Sequence, residues 1–155
     1  MAEAGNKVVI MAAAKKKSKK QSKKEESVFR GKRKEAVARA SVRKGKGAVR
    51  INSVSLSGID NRYVRDIISE PLRMAPEVAS QCDISVSVYG GGQMGQAQAA
   101  KVAIARALAA FSGGDELKRR FVERDRFMFS EDFRRVEPKK YKGPKARARF
   151  QKSYR

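Results

Sequence analysis

Histidine is absent from this 155-residue chain, and cysteine occurs once, at Cys82. Without histidine, the chain lacks the commonest general base and a common metal ligand. A single cysteine cannot form an intrachain disulfide, and it is a poor catalytic nucleophile when no histidine can activate it. The sequence therefore predicts that the protein is not an enzyme, has no metal site and no cofactor, and holds Cys82 as a buried side chain in a reducing compartment.

Long apolar runs are also missing from the sequence. No stretch approaches the ~18 apolar residues that a membrane-spanning helix needs. The apolar residues 8–14 are followed by lysines instead of being preceded by them, which is the wrong order for a secretory signal. We therefore expect no membrane partner and a cytoplasmic location.

Acidic residues are few: 16 stand against 37 lysines and arginines, which gives a net charge of +21. Such an excess points to a polyanionic partner, first nucleic acid and second an anionic membrane, although no basic helix with a large apolar face supports the membrane. The ends hold most of the charge, because residues 1–24 carry +7 and residues 134–155 carry +9. We predict a disordered lysine-rich extension over 1–27, a globular domain over 28–133 and an extended basic tail over 134–155.

The tail, residues 134–155, combines ten cations with a single acid, Glu137. Tyr141, Phe150 and Tyr154 are interleaved with these cations, and aromatic and guanidinium groups suit base stacking and phosphate pairing. The tail has too few apolar residues to fold alone. The pattern favours a nucleic-acid-binding tail carried by a folded anchor; a solvated basic tail without a binding role is the alternative.

Alternating residues predict the strands of the globular part. Residues 36–43 place small side chains on one face and Arg39 and Arg43 on the other, and residues 49–51 resemble the returning strand of a hairpin whose turn is 44–47. A turn or bulge is expected at Asn52-Ser53. The clearest strand is 83–89, where apolar residues alternate with serines and Tyr89.

Helical patterns occupy much of the remainder. Asn61 is expected to cap a helical connection that Pro71 and Pro76 break before about residue 80. A long alanine-rich helix follows the glycines at 90–95 and runs to about Phe111, and a second helix begins with Asp115 as its N-cap. The aromatic segment Phe127, Met128, Phe129 and Phe133 is expected to hold the start of the tail against the domain.

A dense basic segment precedes the first predicted strand, and RNA contact is the favoured interpretation. Protection of a sheet edge against aggregation is the alternative. The cations that could form one basic face are Arg30, Lys32, Arg33, Lys34, Arg39, Arg43, Lys44, Lys46 and Arg50.

Residues 90–95 match the glycine spacing of a dinucleotide-binding loop. We reject that interpretation because the acidic residue at the required distance, Asp115, follows a helix and not a second parallel strand. Backbone amides of Gly90, Gly91, Gly92 and Gln93 at a helix N-terminus instead suit an RNA phosphate. A plain tight turn and a phosphate-handling enzyme remain alternatives, and the enzyme would need a catalytic group near the loop.

Three stretches, 31–39, 90–108 and 143–155, together resemble the family of the universal ninth protein of the small ribosomal subunit, in its archaeal and eukaryotic cytosolic branch. The resemblance implies an α/β (α+β) two-layer sandwich. It has a four-stranded, mostly antiparallel sheet backed by two helices, like the second domain of the fifth small-subunit protein. The lysine-rich extension is outside the resemblance.

The resemblance also implies a structural function in the ribosome, in the head of the small subunit. The expected partners are the small-subunit rRNA, neighbouring head proteins and the peptidyl-site tRNA, whose anticodon stem-loop Arg155 would contact together with Lys152 and Tyr154. The positions expected to bind rRNA are Arg30, Lys32, Arg33, Lys34, Arg39, Arg43, Lys44, Lys46, Gly90, Gly91, Gly92, Gln93, Lys139, Lys140, Lys142, Lys145, Arg147, Arg149 and Phe150.

Overall fold

The computed structural model of the protein describes residues 27–150 together with Ser153. The lysine-rich extension that the sequence predicts to be disordered, residues 1–27, therefore lies outside the described residues except for Ser27. The same holds for Lys152, Tyr154 and Arg155, the residues expected to reach tRNA.

Within the described residues the chain forms five strands and four α-helices. The strands are β1 Val28–Arg33, β2 Ala36–Lys44, β3 Val49–Ile51, β4 Val54–Ser55 and β5 Cys82–Tyr89. The α-helices are α1 Arg62–Met74, α2 Pro76–Ser80, α3 Gln93–Ser112 and α4 Asp115–Arg124, with 3-10 turns at Leu56–Gly58 and Arg126–Met128. No helix in this part of the chain is long and apolar enough to cross a membrane.

The strands form one mixed sheet in the order β1-β2-β5-β3-β4. Three of its pairings are antiparallel and one, β3 with β5, is parallel. The expectation of a mostly antiparallel sheet is confirmed, whereas the expected four strands and two helices are corrected to five and four. The strands that the alternation did not predict are β1, whose residues 28–33 pair along their length with residues 36–41 of β2, and β4, which pairs with β3.

The predicted hairpin between β2 and β3 is wrong, because β5 lies between them. β5 buries Ile84, Val86 and Val88 on one face, as its alternation predicts. It is a central strand of the sheet, with β2 on one side and β3 on the other. Instead of closing a hairpin, β3 turns back at Asn52-Ser53 into β4. Both of these residues have positive φ, 47° and 73°, as a type I′ turn requires, so the expected turn is confirmed.

Small residues form the contact between the sheet and α3. Ala36, Ala38 and Ala40 of β2 are fully buried, as are Ala99 and Ala103 of α3. A Cβ at Gly31 would collide with the carbonyl oxygen of Ala99 and would lie 2.7 Å from the nitrogen of Ala103. The helix and the sheet therefore approach at backbone distance, and the face of β2 that the sequence predicts to carry small residues is the buried one.

The helix ends follow local chemistry. The side-chain oxygen of Asn61 accepts hydrogen bonds from the backbone nitrogens of Tyr63 (3.0 Å) and Val64 (3.4 Å), so the predicted cap is confirmed. α1 continues through Pro71, which the sequence predicted to break it. A proline there removes one backbone donor, and its buried ring packs in the core. Gly113 ends α3 with a φ of 66°, and the N-cap of α4 is Gly114 instead of Asp115.

The segment that leads to the tail is held differently from the prediction. Met128 is fully buried, but Phe133 is 78% exposed and does not hold the tail. The buried residue at this point is Asp132, which pairs with Arg33 in a parallel bridge beside β1. Cys82 is a free, buried thiol, as expected, and burial raises its pKa, with a further contribution from Asp83.

Candidate nucleic-acid interface

The side of the sheet turned away from α3 is exposed and basic. We call this side the open face, and it comprises Val28, Arg30, Lys32, Val37, Arg39, Ser41, Arg43, Arg50, Ser55, Asp83, Ser85, Ser87 and Tyr89. Strand register pairs Arg30 directly with Arg39, and Arg39 with Ser87 on the next strand. Directly opposite residues lie about 5 Å apart, so these arginines form a compact cationic group. The predicted basic face of β2 is confirmed as an exposed surface.

The one carboxylate of the open face, Asp83, has backbone partners. Its Oδ1 accepts hydrogen bonds from the nitrogens of Ala48 (2.9 Å) and Lys46 (2.9 Å). These two hydrogen bonds, that from Ala48 first, lower the pKa of Asp83, and Arg50 adds an attractive charge. Asp83 thus fixes the loop between β2 and β3, in which Lys46 is exposed. Lys44 is exposed as well, but it is the last residue of β2 and stands opposite the buried Cys82.

An aromatic side chain, Tyr89, lies at the end of β5 on the open face and is 49% exposed. The guanidinium carbon of Arg39 lies over its ring, 5.6 Å from the ring centroid. Nη2 of Arg39 also donates to the hydroxyl oxygen of Tyr89, at 3.4 Å. Our prediction of binding residues missed Tyr89, although its alternation with Ser85 and Ser87 already placed it on the exposed side of the strand.

Residues 90–92, which we call the glycine loop, form a turn after β5 that is packed against the β1–β2 connection. Gly90 and Gly91 have positive φ, 75° and 62°. A Cβ on Gly90 would lie 2.6 Å from the carbonyl oxygen of Glu35, and one on Gly91 would lie 3.0 Å from the nitrogen of Ala36. The tight-turn interpretation therefore accounts for these two glycines. Because this turn packs against Glu35, it also lies beside the preceding residue, Lys34.

Gly92 differs from its two neighbours. It has an extended conformation, with a φ of −109°, and is the N-cap of α3. No atom lies within 4 Å of the position that its Cβ would occupy. Neither the backbone conformation nor the packing requires glycine at this position. Without a side chain, Gly92 leaves the N-terminus of α3, a helix of 20 residues, open to solvent.

Arg33 was predicted to bind RNA, but it lies apart from the open face. Its side chain is 15% exposed, and its Nη1 lies 3.0 Å from Oδ2 of Asp132. Its Nε donates to Oε1 of Gln98, at 2.8 Å. Arg33 therefore connects β1, α3 and the start of the tail. Lys32, its neighbour, stands opposite Val37 and therefore belongs to the open face.

Asp132 and Arg106 fasten the segment that leads to the tail. Arg134 donates to both carboxylate oxygens of Asp132, with Nη2 at 2.6 Å from Oδ2. These hydrogen bonds, aided by the charges of Arg134 and Arg33, lower the pKa of Asp132 from 3.8 to about 2. Arg106 of α3 donates to the carbonyl oxygens of Phe129 (2.7 Å) and Arg30 (2.6 Å).

The tail does not run straight after this point. Glu137 accepts hydrogen bonds from Arg147 (2.8 Å) and Lys140 (3.1 Å). Both hydrogen bonds lower the pKa of Glu137, and the one from Arg147 has the larger effect. Gly143 is buried inside the resulting loop, where a Cβ would collide with the carbonyl oxygen of Ala148. The expected extended course is therefore interrupted between Glu137 and Ala148. Other predicted contact residues are exposed: Lys139, Lys142, Lys145, Arg149 and Phe150.

Comparison with known proteins supports the ribosomal resemblance. The family model described as ribosomal protein S9/S16 matches residues 31–155. The chain is 46% identical over 125 residues to the small ribosomal subunit protein uS9 of Methanothrix thermoacetophila, which covers 81% of this chain and 95% of the relative. It is 47% identical over 125 residues to the protein of the same name from Desulfurococcus amylolyticus, covering 81% and 89%. Both relatives are archaeal.

Proposed function

Because the chain belongs to the ribosomal protein S9/S16 family, we propose that its open face, glycine loop and tail bind the rRNA of the small subunit. Membership of this family makes the protein a structural, non-enzymatic constituent of the small ribosomal subunit. The observation that carries the proposal is the open face, which holds four arginines and a single carboxylate that is already hydrogen-bonded.

In this proposal, the affinity for rRNA comes mainly from the positive charges of the open face. Each arginine or lysine that neutralises a phosphate releases condensed counterions, so binding becomes stronger and more sensitive to salt as contacts accumulate. Arg30, Arg39, Arg43 and Arg50 stand on three strands of one sheet, β1, β2 and β3, so their spacing is fixed before RNA arrives. Arginine suits the task because its planar fork pairs with phosphate through two parallel hydrogen bonds.

The glycine loop is proposed as a second phosphate contact. A helix N-terminus carries backbone N–H groups and the positive end of the helix dipole, both of which favour an anion. The unhindered position of Gly92 allows an RNA backbone to approach the first turn of α3 closely. Lys34, on the adjacent β1–β2 turn, adds a positive charge beside the loop.

The tail is proposed to reach the peptidyl-site tRNA in the head of the subunit, with Arg155, Lys152 and Tyr154 at the tip. Support comes from the family match, which extends to residue 155. A terminal guanidinium can pair with a phosphate whatever the tRNA sequence, as a site that serves all tRNAs requires. We also propose that the domain over 28–133 shares the two-layer fold expected from the family and contacts neighbouring head proteins in the cytoplasmic ribosome.

The decisive experiment compares two pairs of arginines with equal charge. Arg39→Gln with Arg50→Gln changes the open face, and Arg119→Gln with Arg120→Gln changes exposed positions on α4. Binding to small-subunit rRNA is measured across a range of salt concentrations. The open-face pair should weaken binding and reduce the salt slope by about 1 per arginine, whereas the α4 pair should change neither substantially. Equal losses from both pairs would show that net charge alone, and not the open face, determines binding.

A further inference from the structure

Tyr89 gives the open face a chemistry that phosphate binding does not require. We propose that its ring stacks on an unpaired RNA base, so that this corner of the open face recognises single-stranded RNA. The inference rests on the proposed function and adds to it the kind of RNA that the site takes.

The first support is the setting of the ring. Tyr89 is the last residue of β5 and is half exposed, although it belongs to a strand whose apolar residues are otherwise buried. Arg39 lies over the ring at 5.6 Å from its centroid and donates to its hydroxyl. The ring is therefore held in a defined orientation by a cation, as a stacking platform would be.

The second support is the space and charge around the ring. The chain continues from Tyr89 into three glycines, so no side chain from the following residues covers it. Arg30 and Arg39 are paired on β1 and β2, the two strands to one side of Tyr89, and can neutralise phosphates next to a stacked nucleotide.

The chemistry selects unpaired RNA over a duplex. In an RNA duplex the bases are stacked on one another and offer no free face, whereas a loop, bulge or single strand can place a base on an aromatic ring. A stacked base typically contributes about 1–3 kcal/mol, equivalent to roughly 5- to 150-fold in affinity. A sheet surface with an exposed aromatic residue among cations fits this mode of binding.

The test uses the full chain and two RNA probes: a single-stranded oligonucleotide of about ten adenosines that contains one 2-aminopurine, and a duplex of the same length. Tyr89→Leu removes the ring, and Tyr89→Phe retains the ring while losing the hydroxyl. Tyr63→Leu is the matched control, because Tyr63 is a tyrosine of α1 that is 76% exposed. Thermal unfolding of each variant verifies that it is folded.

We expect Tyr89→Leu to weaken single-strand binding roughly 5- to 150-fold and to leave duplex binding unchanged. Tyr89→Phe and Tyr63→Leu should bind the single strand like the wild type. The 2-aminopurine fluorescence should be quenched by stacking on the wild type and on Tyr89→Phe, and not on Tyr89→Leu.

Three results would overturn the inference. Equal losses for both probes would make Tyr89 a structural residue. RNA binding like the wild type by Tyr89→Leu, together with poor incorporation into small subunits, would assign the ring to a neighbouring protein. Failure of the wild type to bind either probe or small-subunit rRNA would overturn the proposed function itself, and this inference with it.

Discussion

Asp132 shows how a single residue determines where the tail begins. Among the residues that the structure describes, it is the buried charged side chain, 5% exposed, and it accepts from Arg134 while pairing with Arg33. A buried carboxylate is tolerated only when it is paired and hydrogen-bonded, and here both conditions are met. Asp132 therefore joins the tail to the edge of β1.

The low pKa of Asp132 predicts how this attachment depends on pH. Its pKa falls from 3.8 to about 2 on folding. The contribution of Asp132 to the free energy of unfolding is therefore complete above about pH 4 and is lost as the pH decreases through about 2. Asp132→Asn should therefore reduce the urea-unfolding free energy near neutral pH, and its difference from the wild type should shrink between about pH 4 and pH 2.

The control is Glu131→Gln, which removes a neighbouring carboxylate whose ion pair with Arg135 is largely exposed. Exposed pairs contribute little, so this variant should be close to the wild type near neutral pH. A difference between wild type and Asp132→Asn that stays constant down to about pH 2 would contradict the assignment of the stabilisation to the charged carboxylate.

Sequence patterns could identify Arg33 as part of a basic segment but not as the partner of Asp132. The two residues belong to β1 and to the segment after α4, and no local spacing relates such distant positions. Tyr89 was different, because its position in an alternating strand was sufficient to place it on the exposed face. At the residue scale, the sequence did not predict ion pairs between residues that are distant in the chain.

At the scale of elements, periodicity predicted β5 and α3 well and strand order poorly. Alternation identifies which residues of a strand are buried, and it does not show which strand lies next to it. The prediction of a β2–β3 hairpin was wrong for this reason. The glycines between the two strands are equally compatible with a loop that passes the end of β5. Gly45 lies against the carboxyl group of Asp83 in that loop, a contact that no local pattern revealed.

The glycine loop allows a turn residue and a binding residue to be separated. Gly91→Ala should destabilise the fold by about 1–3 kcal/mol, because alanine is strained at a φ of 62° and its Cβ would crowd Ala36. Gly92→Ala should destabilise the fold by about 1 kcal/mol or less, because its conformation and surroundings accept a side chain and only the preference for glycine over alanine at an N-cap is lost. Urea unfolding distinguishes these two outcomes.

Gly92→Leu then tests the phosphate contact with an intact fold. A leucine in front of α3 should obstruct the approach of RNA, so this variant should unfold like Gly92→Ala and bind small-subunit rRNA more weakly. Undiminished rRNA binding by Gly92→Leu would reduce the loop to a plain turn.

For the whole molecule, the sequence predicts a centre of low net charge, +5 over residues 25–133, between two strongly basic ends, and the structure adds the points of attachment. Residues up to Met128 supply the buried apolar core, while Asp132 is the last buried charged residue that the structure describes. Removing residues 143–155 should therefore leave the cooperative thermal unfolding transition unchanged. Removing residues 130–155 should lower its midpoint, because that deletion also removes Asp132.

The same truncation tests the tail in its proposed role. Small subunits that contain the protein without residues 143–155 should assemble and should hold peptidyl-site tRNA less tightly, as measured by filter binding. Loss of Arg155 alone should produce a smaller effect of the same kind. Normal tRNA retention by the truncated subunits, or loss of cooperative unfolding in the isolated truncated chain, would contradict the division of the chain into domain and tail.

The alanine contact between α3 and the sheet has a consequence for how the protein fits its RNA. Alanine and glycine lose no rotamer freedom on burial, so this contact forms without that entropy cost. The same residues have no side-chain conformations through which the contact could adapt. The sheet beneath the open-face arginines is therefore a stiff support, and adjustment to the shape of the RNA is left to the long arginine side chains and to the tail.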